Sequence, residues 1–217
     1  MTEVKVFVEG PSDKDSMEAL LAPLLDQKKL SGVLIEFFAE SHPGDKKKNL
    51  LLKTPTKAAN ILLNRPHAIV VILPDLHPRD QGFSHSTFNE LDLGIRQKFK
   101  DALRQKNTDD DPRLNERFKV FCFKYELEAL LLAAEEQLGE HLGISIEQRT
   151  WIIPVEDQDH TRHPKLIIEE LFEQQGDKYK QTVDAPLILG AADYRTIANR
   201  CPQCFKPFVD FIDTLSA

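Results

Sequence analysis

Short apolar runs alternate along the chain with segments in which apolar residues recur at helical spacing. The apolar runs predict strands at residues 4–8, 33–39, 68–73 and 118–123, and a further short strand at 151–155. The helical spacing predicts helices at 57–63, 88–104, 126–138, 164–172 and 207–215. Another helix is expected to begin at Ser12, as the N-cap, with Asp15 as its capping partner. Residues 42–56 and 106–113 are polar and predict loops.

Strands that alternate with helices predict an α/β fold, in which a mainly parallel sheet is flanked by helices. The chain has 217 residues, of which 41% are hydrophobic, and no low-complexity run interrupts it. This is enough to bury one sizeable core. We therefore expect a single domain over residues 1–217, with a core of about 1–140 and an elaborated C-terminal helical part of about 141–217.

Charge and cysteine content narrow the class of protein. The chain has 28 Lys and Arg against 35 Asp and Glu, a net charge of -7, so its overall charge does not indicate nucleic-acid binding. The densest basic stretch is Lys46-Lys47-Lys48, followed by Lys53 and Lys57, and a solvated loop is the favoured interpretation. Three cysteines, an odd number, argue against a disulfide framework. With no long apolar stretch, these features predict a cytoplasmic protein without a membrane segment.

Acidic residues follow three of the predicted strands, namely Glu9, Asp75 and the pair Glu126 and Glu128. Sites of open α/β sheets form beyond the carboxyl ends of the strands, and carboxylates suit Mg²⁺ for phosphodiester chemistry. Each residue also has a structural alternative: Glu9 as a helix cap, Asp75 as the start of a turn. Glu126 and Glu128 are two apart in a predicted helix, so we expect one of them, but not both, to face a shared site.

A resemblance to a known superfamily rests on the first of these segments. Val6-Phe7-Val8-Glu9-Gly10, followed by a polar cap and a helix, resembles the first motif of Toprim domains. In that superfamily, which includes topoisomerases, primases and some nucleases, a Glu after the first strand and an Asp motif after a later strand hold Mg²⁺. The rest of the chain resembles a small stand-alone bacterial family of Toprim-like proteins without assigned function. The tracts that carry this resemblance are Tyr125-Glu126-Leu127-Glu128, His163-Pro164-Lys165, Tyr179-Lys180 and Ile197-Ala198-Asn199-Arg200-Cys201-Pro202.

The resemblance implies a Mg²⁺-dependent nuclease, or a related phosphodiester-cleaving enzyme, in which Mn²⁺ could substitute, acting on DNA or RNA. Glu9 would be the general base or a metal-linked carboxylate and Asp75 a metal ligand. Asp80, with Glu126 or Glu128, would complete the metal site, and Lys165 or Arg200 would contact phosphate. Such proteins are encoded beside ATPases, which implies a partner ATPase and a role in defence against phage.

Two departures from the family pattern keep an alternative open. Toprim domains usually have Asp-x-Asp after the later strand, whereas this chain has Asp75-Leu76-His77, so that His77 would replace or orient a ligand. Tyr125 stands where the small family more often has His. The alternative is a non-catalytic adaptor or effector bound to a partner ATPase.

Two other groups of residues suggest metal sites. Cys201-Pro202-Gln203-Cys204 provides half of the ligands of a structural zinc site. Cys122 is expected to face the core, so we predict packing and no zinc. Asp157, Asp159, His160 and His163 lie close together in sequence, and a polar loop is the favoured interpretation.

Overall fold

Within the described residues, four parallel strands form one sheet: β1 (Thr2–Val8), β2 (Val33–Ala39), β3 (Ala68–Ile72) and β4 (Phe118–Val120). Their order across the sheet is β2-β1-β3-β4. The computed structural model describes residues 1–40, 45–109, 111–146, 150–158 and 160–216, and for residue 160 the backbone alone. The predicted α/β class, with a mainly parallel sheet flanked by helices, is confirmed.

Helices connect and flank the strands. In chain order they are α1 (Pro11–Leu30), α2 (Lys46–Leu52), α3 (Thr54–Asn64), α4 (Phe88–Arg104), α5 (Pro112–Glu116), α6 (Glu128–Ala133), α7 (Glu135–Leu142), α8 (Pro164–Gln174), α9 (Gln181–Gly190), α10 (Tyr194–Arg200) and α11 (Phe205–Thr214). Short 3₁₀ turns cover Val155–Asp157 and His160–Arg162. Among the described residues, no helix has the length and apolar character that crossing a membrane requires.

Each face of the sheet carries its own apolar cluster, because successive side chains of a strand point to opposite faces. Val6 and Val8 of β1 join the cluster that contains α1 and the helices from α6 to α11. Phe7 joins Val70 of β3 and the helices α3 and α4 in the second cluster. The C-terminal helices therefore share apolar contacts with the first strand, and α9 packs against α1.

The start of α1 differs from the prediction. Gly10, not Ser12, is the N-cap, and Pro11 is the first helical residue, a position where proline costs no hydrogen bond. The Gly10 N–H donates to Oδ2 of Asp13 at 2.8 Å. Asp15 is half exposed and lies near Lys14 instead. The helix thus begins directly after Glu9, at the edge of the sheet.

Other differences have physical reasons. The predicted loop at 42–56 contains α2 and the start of α3, because Leu50 and Leu51 are buried and Asp45 caps α2 by accepting from the Lys48 N–H; residues 41–44 lie outside the described ranges. The predicted strand at 151–155 is wrong, since Trp151 packs into the core before a 3₁₀ turn. The predicted helix at 126–138 is two helices divided at Ala134. The sequence did not indicate α9, which contains Pro186, or α10.

Candidate functional site

Glu9 and Asp75 meet at the carboxyl edge of the sheet. Strands β1 and β3 are parallel neighbours, so the residues that follow them emerge side by side. The Asp75 N–H donates to Oε1 of Glu9 at 3.1 Å, and the expected approach of these two residues is confirmed. Asp75 is also fixed from its other side by a parallel bridge to Phe123, which follows β4.

The Asp75 carboxylate is buried among other acidic side chains. Its Oδ1 atom is buried, and no hydrogen-bond donor from the described ranges reaches it. Burial raises the pKa of Asp75 well above its usual value, and neighbouring negative charges raise it further. Those charges belong to Glu9, Asp13, Glu128 and Glu126. A buried oxygen without a donor, among like charges, is suited to a cation.

Glu9 is half-buried and responds to the same surroundings. Burial raises the pKa of Glu9 to about 8, while the Lys47 ammonium opposes the rise. The charge of Asp13 adds to the increase, and the Asp75 N–H reduces it. Glu9 therefore holds or releases a proton near neutral pH.

Asp13 belongs to this group, although sequence reasoning did not identify it. It lies four residues after Glu9, in the first turn of α1. Its side chain is buried, and its Oδ2 accepts from the Gly10 N–H. Burial raises the pKa of Asp13 to about 6, and the charges of Lys46 and Lys165 lower it. An acidic residue four positions after Glu9, in the first turn of the helix, was the signal that could have revealed it.

Glu126 does not lie in helix α6, which begins at Glu128. Oε1 of Glu126 accepts from the Lys165 N–H at 2.6 Å, in the first turn of α8, and pairs with Nδ1 of His163 at 2.8 Å. The premise that Glu126 and Glu128 point apart on one helix is therefore wrong. Glu126 fastens the start of α8 to the sheet edge and brings Lys165 toward the carboxylates.

Glu128 is fully buried at the start of α6. The Tyr179 hydroxyl donates to its Oε1 at 3.3 Å. Burial raises the pKa of Glu128 to about 7, the charge of Glu126 raises it, and Lys165 lowers it. Burial also raises the pKa of Tyr179 above its usual range, with the Glu128 charge contributing, so the phenol stays protonated as a donor.

Lys47 corrects the expectation of a solvated basic loop. Its side chain is 2% exposed and its Nζ donates to the Pro78 carbonyl at 2.6 Å. Burial lowers the pKa of Lys47, while Glu9 and Asp75 act in the opposite direction. Lys46 and Lys48, on either side, are exposed. The triplet thus places one cation inside the molecule and two on its surface.

The other predicted residues lie elsewhere. Asp80 is exposed in the loop after the strand end. Nε2 of His77 accepts from Nε of Arg79 at 3.1 Å, and the His77 ring lies 4.8 Å from that of Tyr125. Arg200 donates to the Ala133 carbonyl at 2.6 Å, at the end of α6, and lines a separate cavity with residues of α7. Of the predicted set, the structure gathers Glu9, Asp75, Glu126, Glu128 and Lys165.

Two sequence groups suggestive of metal binding have other partners. Asp157 pairs with Lys124 at 3.1 Å, whereas His163 pairs with Glu126. Asp159 lies outside the described residues. Cys201 is enclosed in the first apolar cluster, while Cys204 lies in the second.

The cluster of carboxylates at the sheet edge provides oxygen donors, which suit a hard divalent cation. Mg²⁺ prefers oxygen ligands, is commonly bound through one or two carboxylates and keeps several waters. The orphaned Oδ1 of Asp75 beside Glu9 offers such oxygens. Within the described ranges, no three acidic, His or Cys side chains are close enough together to hold a metal ion as they stand. The group therefore provides the ligands without a closed coordination sphere.

Known proteins resemble this chain along almost its whole length. The structure is similar to the C-terminal region of the Burkholderia pseudomallei OLD protein, with a TM-score of 0.46 and 17% identity over 98% of each chain. It is also similar to the C-terminal region of the Xanthomonas campestris pv. campestris OLD protein, with a TM-score of 0.44 and 16% identity, over 98% of this chain and 97% of that one. No curated protein matches the sequence. A family model described as "Domain of unknown function (DUF4276)" matches residues 8–213, and the chain therefore belongs to this family.

Proposed function

We propose that the protein is a divalent-metal-dependent nuclease. The observation that carries the proposal is the convergence of Glu9, Asp13, Asp75, Glu126 and Glu128 at one sheet edge, around an Asp75 oxygen that has no donor from the described ranges. Burial, together with repulsion from neighbouring carboxylates, raises the pKa values of Asp75, Glu9 and Glu128. The resemblance of the Glu9 segment to the first Toprim motif supports the same function.

The roles follow from burial and charge. Asp75 and Glu9, which meet at the sheet edge, would hold Mg²⁺, with Mn²⁺ as a substitute, and Glu128 would contact the cation through one of the waters that Mg²⁺ keeps. When bound, the cation supplies charge neutralisation at the phosphate oxygens. Glu9, beside the Asp75 N–H, is placed either as a ligand of the cation or as the base that accepts a proton from the attacking water. Asp13 accepts a hydrogen bond from the Gly10 N–H and so holds the first turn of α1 beside the site.

Two lysines give the site its affinity for a polyanion. Lys46 and Lys165 are near enough to lower the pKa of Asp13. Lys48, Lys53 and Lys57 are exposed along α2 and α3, so a local basic surface extends from the carboxylates despite the net charge of -7. Such a surface suits the phosphate backbone of DNA or RNA. A partner ATPase and a role in phage defence are proposed on the family resemblance alone.

Two observations favour the rival proposal of a non-catalytic adaptor bound to an ATPase. Within the described ranges the acidic side chains do not form a closed set of metal ligands, and Asp75-Leu76-His77 lacks the second carboxylate of an Asp-x-Asp motif. An adaptor would retain the acidic edge without cleaving nucleic acid. The two proposals therefore separate in a cleavage assay.

The assay uses purified protein with labelled single-stranded DNA, duplex DNA and RNA, in Mg²⁺, in Mn²⁺ and in EDTA. We expect cleavage in the metals but not in EDTA. Glu9→Gln should lose roughly 10²- to 10⁴-fold in rate, the usual effect of removing a general base, and Asp75→Asn should be at least as impaired. Asp210→Asn, an exposed change on α11, is the matched control and should cleave like the wild type.

The outcomes of the assay are distinct. Wild-type protein that cleaves no substrate in either metal contradicts the nuclease and supports the adaptor. Cleavage that persists in Asp75→Asn would point to a contaminating nuclease or to a site elsewhere in the molecule, and would also contradict the proposal.

A further inference from the structure

The Cys201-x-x-Cys204 motif is divided between the two sides of the sheet. Cys201 is fully buried in the first apolar cluster. Cys204 instead faces Cys122, which is 82 residues away in sequence, with 3.3 Å between the two sulfurs. The Cys122 S–H donates to the Cys204 sulfur. The pair that is adjacent in space is therefore not the pair that is adjacent in sequence.

Both cysteines are held in place by their own backbones. Cys122 directly precedes Phe123, whose N–H donates to Pro74 and whose carbonyl accepts from Leu76, each at 2.9 Å. Cys204 is the N-cap of α11, and its N–H donates to Oε1 of the buried Glu156 at 2.8 Å. Because both segments are fixed, the two sulfurs face each other without rearrangement of either element.

A small reagent has a route to these sulfurs. A cavity of about 360 Å³ is lined by Cys204 together with Tyr125 and Phe88. A neighbouring cavity of about 130 Å³ is lined by both Cys122 and Cys204. Cys204 is 7% exposed and Cys122 is fully buried, so Cys204 is the first sulfur that an incoming molecule meets.

We propose that Cys122 and Cys204 form a reversible disulfide when the protein meets a peroxide. The Cys204 sulfur attacks a peroxide oxygen and the O–O bond breaks, which gives a sulfenic acid and one water when the peroxide is hydrogen peroxide. The Cys122 sulfur then displaces the hydroxyl group from that sulfenic acid, and its own proton leaves with the hydroxyl as a second water. The two thiols lose two protons and two electrons in total, and the peroxide takes up both the protons and the electrons.

The order of the two steps agrees with the state of the Cys122 thiol. The hydrogen bond to Cys204, together with burial, raises the pKa of Cys122 well above its usual value, and a protonated thiol is a poor first nucleophile. The resulting bond ties the start of α11 to the segment that pairs with Asp75. The proposal requires neither a metal nor nucleic acid, so it does not depend on the proposed nuclease activity.

The test treats the full, reduced chain with hydrogen peroxide and measures the intact mass. It then blocks the remaining thiols by alkylation in denaturant and maps the unreduced peptides by mass spectrometry. We expect the intact mass before alkylation to fall by two hydrogen atoms. The map should show a cross-linked pair of peptides that contain Cys122 and Cys204, and an alkylated Cys201. Dithiothreitol should restore the original mass. The melting temperature should rise on oxidation, because the cross-link restrains the unfolded chain.

Single substitutions provide the controls. Cys201→Ala should form the cross-link as the wild type does, whereas Cys122→Ala and Cys204→Ala should not form it. A cross-link between Cys201 and Cys204 would overturn the proposal, as would a wild-type protein that gains oxygen without any cross-link or that stays unchanged. The wild-type peptide map distinguishes these outcomes even if a variant does not fold.

Discussion

Glu126 and Glu128 are two residues apart but have different surroundings. Glu126 is joined to both His163 and the Lys165 N–H, at the start of α8. Glu128 is fully buried, receives the longer 3.3 Å bond from Tyr179 and has a raised pKa. A carboxylate at a helix N-terminus stabilises that helix, whereas a buried carboxylate among like charges is stabilised by a cation. We therefore propose a structural role for Glu126 and a role in metal binding for Glu128.

We therefore expect Mg²⁺ titration by calorimetry to separate the two Gln variants. Glu128→Gln should bind Mg²⁺ at least about tenfold more weakly, a loss of roughly 1.4 kcal/mol. Glu126→Gln should keep most of the affinity but lose about 1 kcal/mol of unfolding free energy, as for a weakened helix cap. Equal losses of Mg²⁺ affinity in both variants, or none in either, would contradict this division of roles.

At the scale of elements, the start of helix α11 is capped by one buried carboxylate, that of Glu156. The Glu156 carboxylate accepts from the N–H groups of Gln203 at 2.6 Å, Cys204 at 2.8 Å and Phe205 at 3.3 Å. Burial raises the pKa of Glu156 even though these three donors lower it. The start of a helix leaves N–H groups without partners, and Glu156 supplies the acceptor from a distant 3₁₀ turn.

Glu156→Ala should lower the free energy of unfolding by about 1–3 kcal/mol, because three buried or partly buried N–H groups lose their acceptor. Urea denaturation followed by circular dichroism measures this quantity. Asp157→Ala is the matched control. The Asp157 carboxylate, next to Glu156 in sequence, is half exposed and pairs with Lys124. Its removal should therefore lower the free energy of unfolding by less than about 1 kcal/mol. A Glu156→Ala variant as stable as Asp157→Ala would show that α11 is held by its apolar face alone.

The elements that could be predicted are those with a strong local pattern. Strand β2 and helix α4 have the predicted bounds. The apolar run of the strand and the amphipathic spacing of the helix can both be read from the sequence without knowledge of packing. Helix α2 was missed because its lysines obscure the burial of Leu50 and Leu51, and α9 because it contains a proline.

The site, too, could be predicted only where it depends on a local sequence pattern. Parallel strands bring their ends together whatever packs around them, so the approach of Glu9 to Asp75 could be expected. The burial of Asp13 and Lys47 could not, because it depends on how α1 and α2 pack at the sheet edge. Local spacing carries no information on that packing.

At the scale of the whole molecule, the carboxylates at the sheet edge destabilise the folded state when they are ionised. The pKa of Glu9 is about 8, that of Glu128 about 7 and that of Asp13 about 6, each raised first of all by burial. An acid with a raised pKa in the folded state keeps its proton where the unfolded chain has already released it. Its contribution to stability is complete below the unfolded value and is lost as the pH rises through the folded value.

Without divalent metal, the melting temperature should therefore fall as the pH rises from 4.5, the ordinary Glu value, to about 8. Glu9→Gln has no proton to release at this position, so its decline should be shallower than that of the wild type. Glu36→Gln, a change at a half-exposed position on β2 away from the site, is the matched control and should keep the wild-type decline. Thermal melts in EDTA across this pH range measure all three proteins.

Mg²⁺ should reverse the decline, because a ligand that binds the folded state raises its stability and binds best to ionised carboxylates. The gain in melting temperature should be larger near pH 8 than near pH 5, and smaller in Glu9→Gln than in Glu36→Gln at either pH. A wild-type protein that becomes more stable between pH 4.5 and 8 in EDTA would mean that the carboxylates at the sheet edge are ionised at no cost. The charge repulsion on which the metal site rests would then be absent.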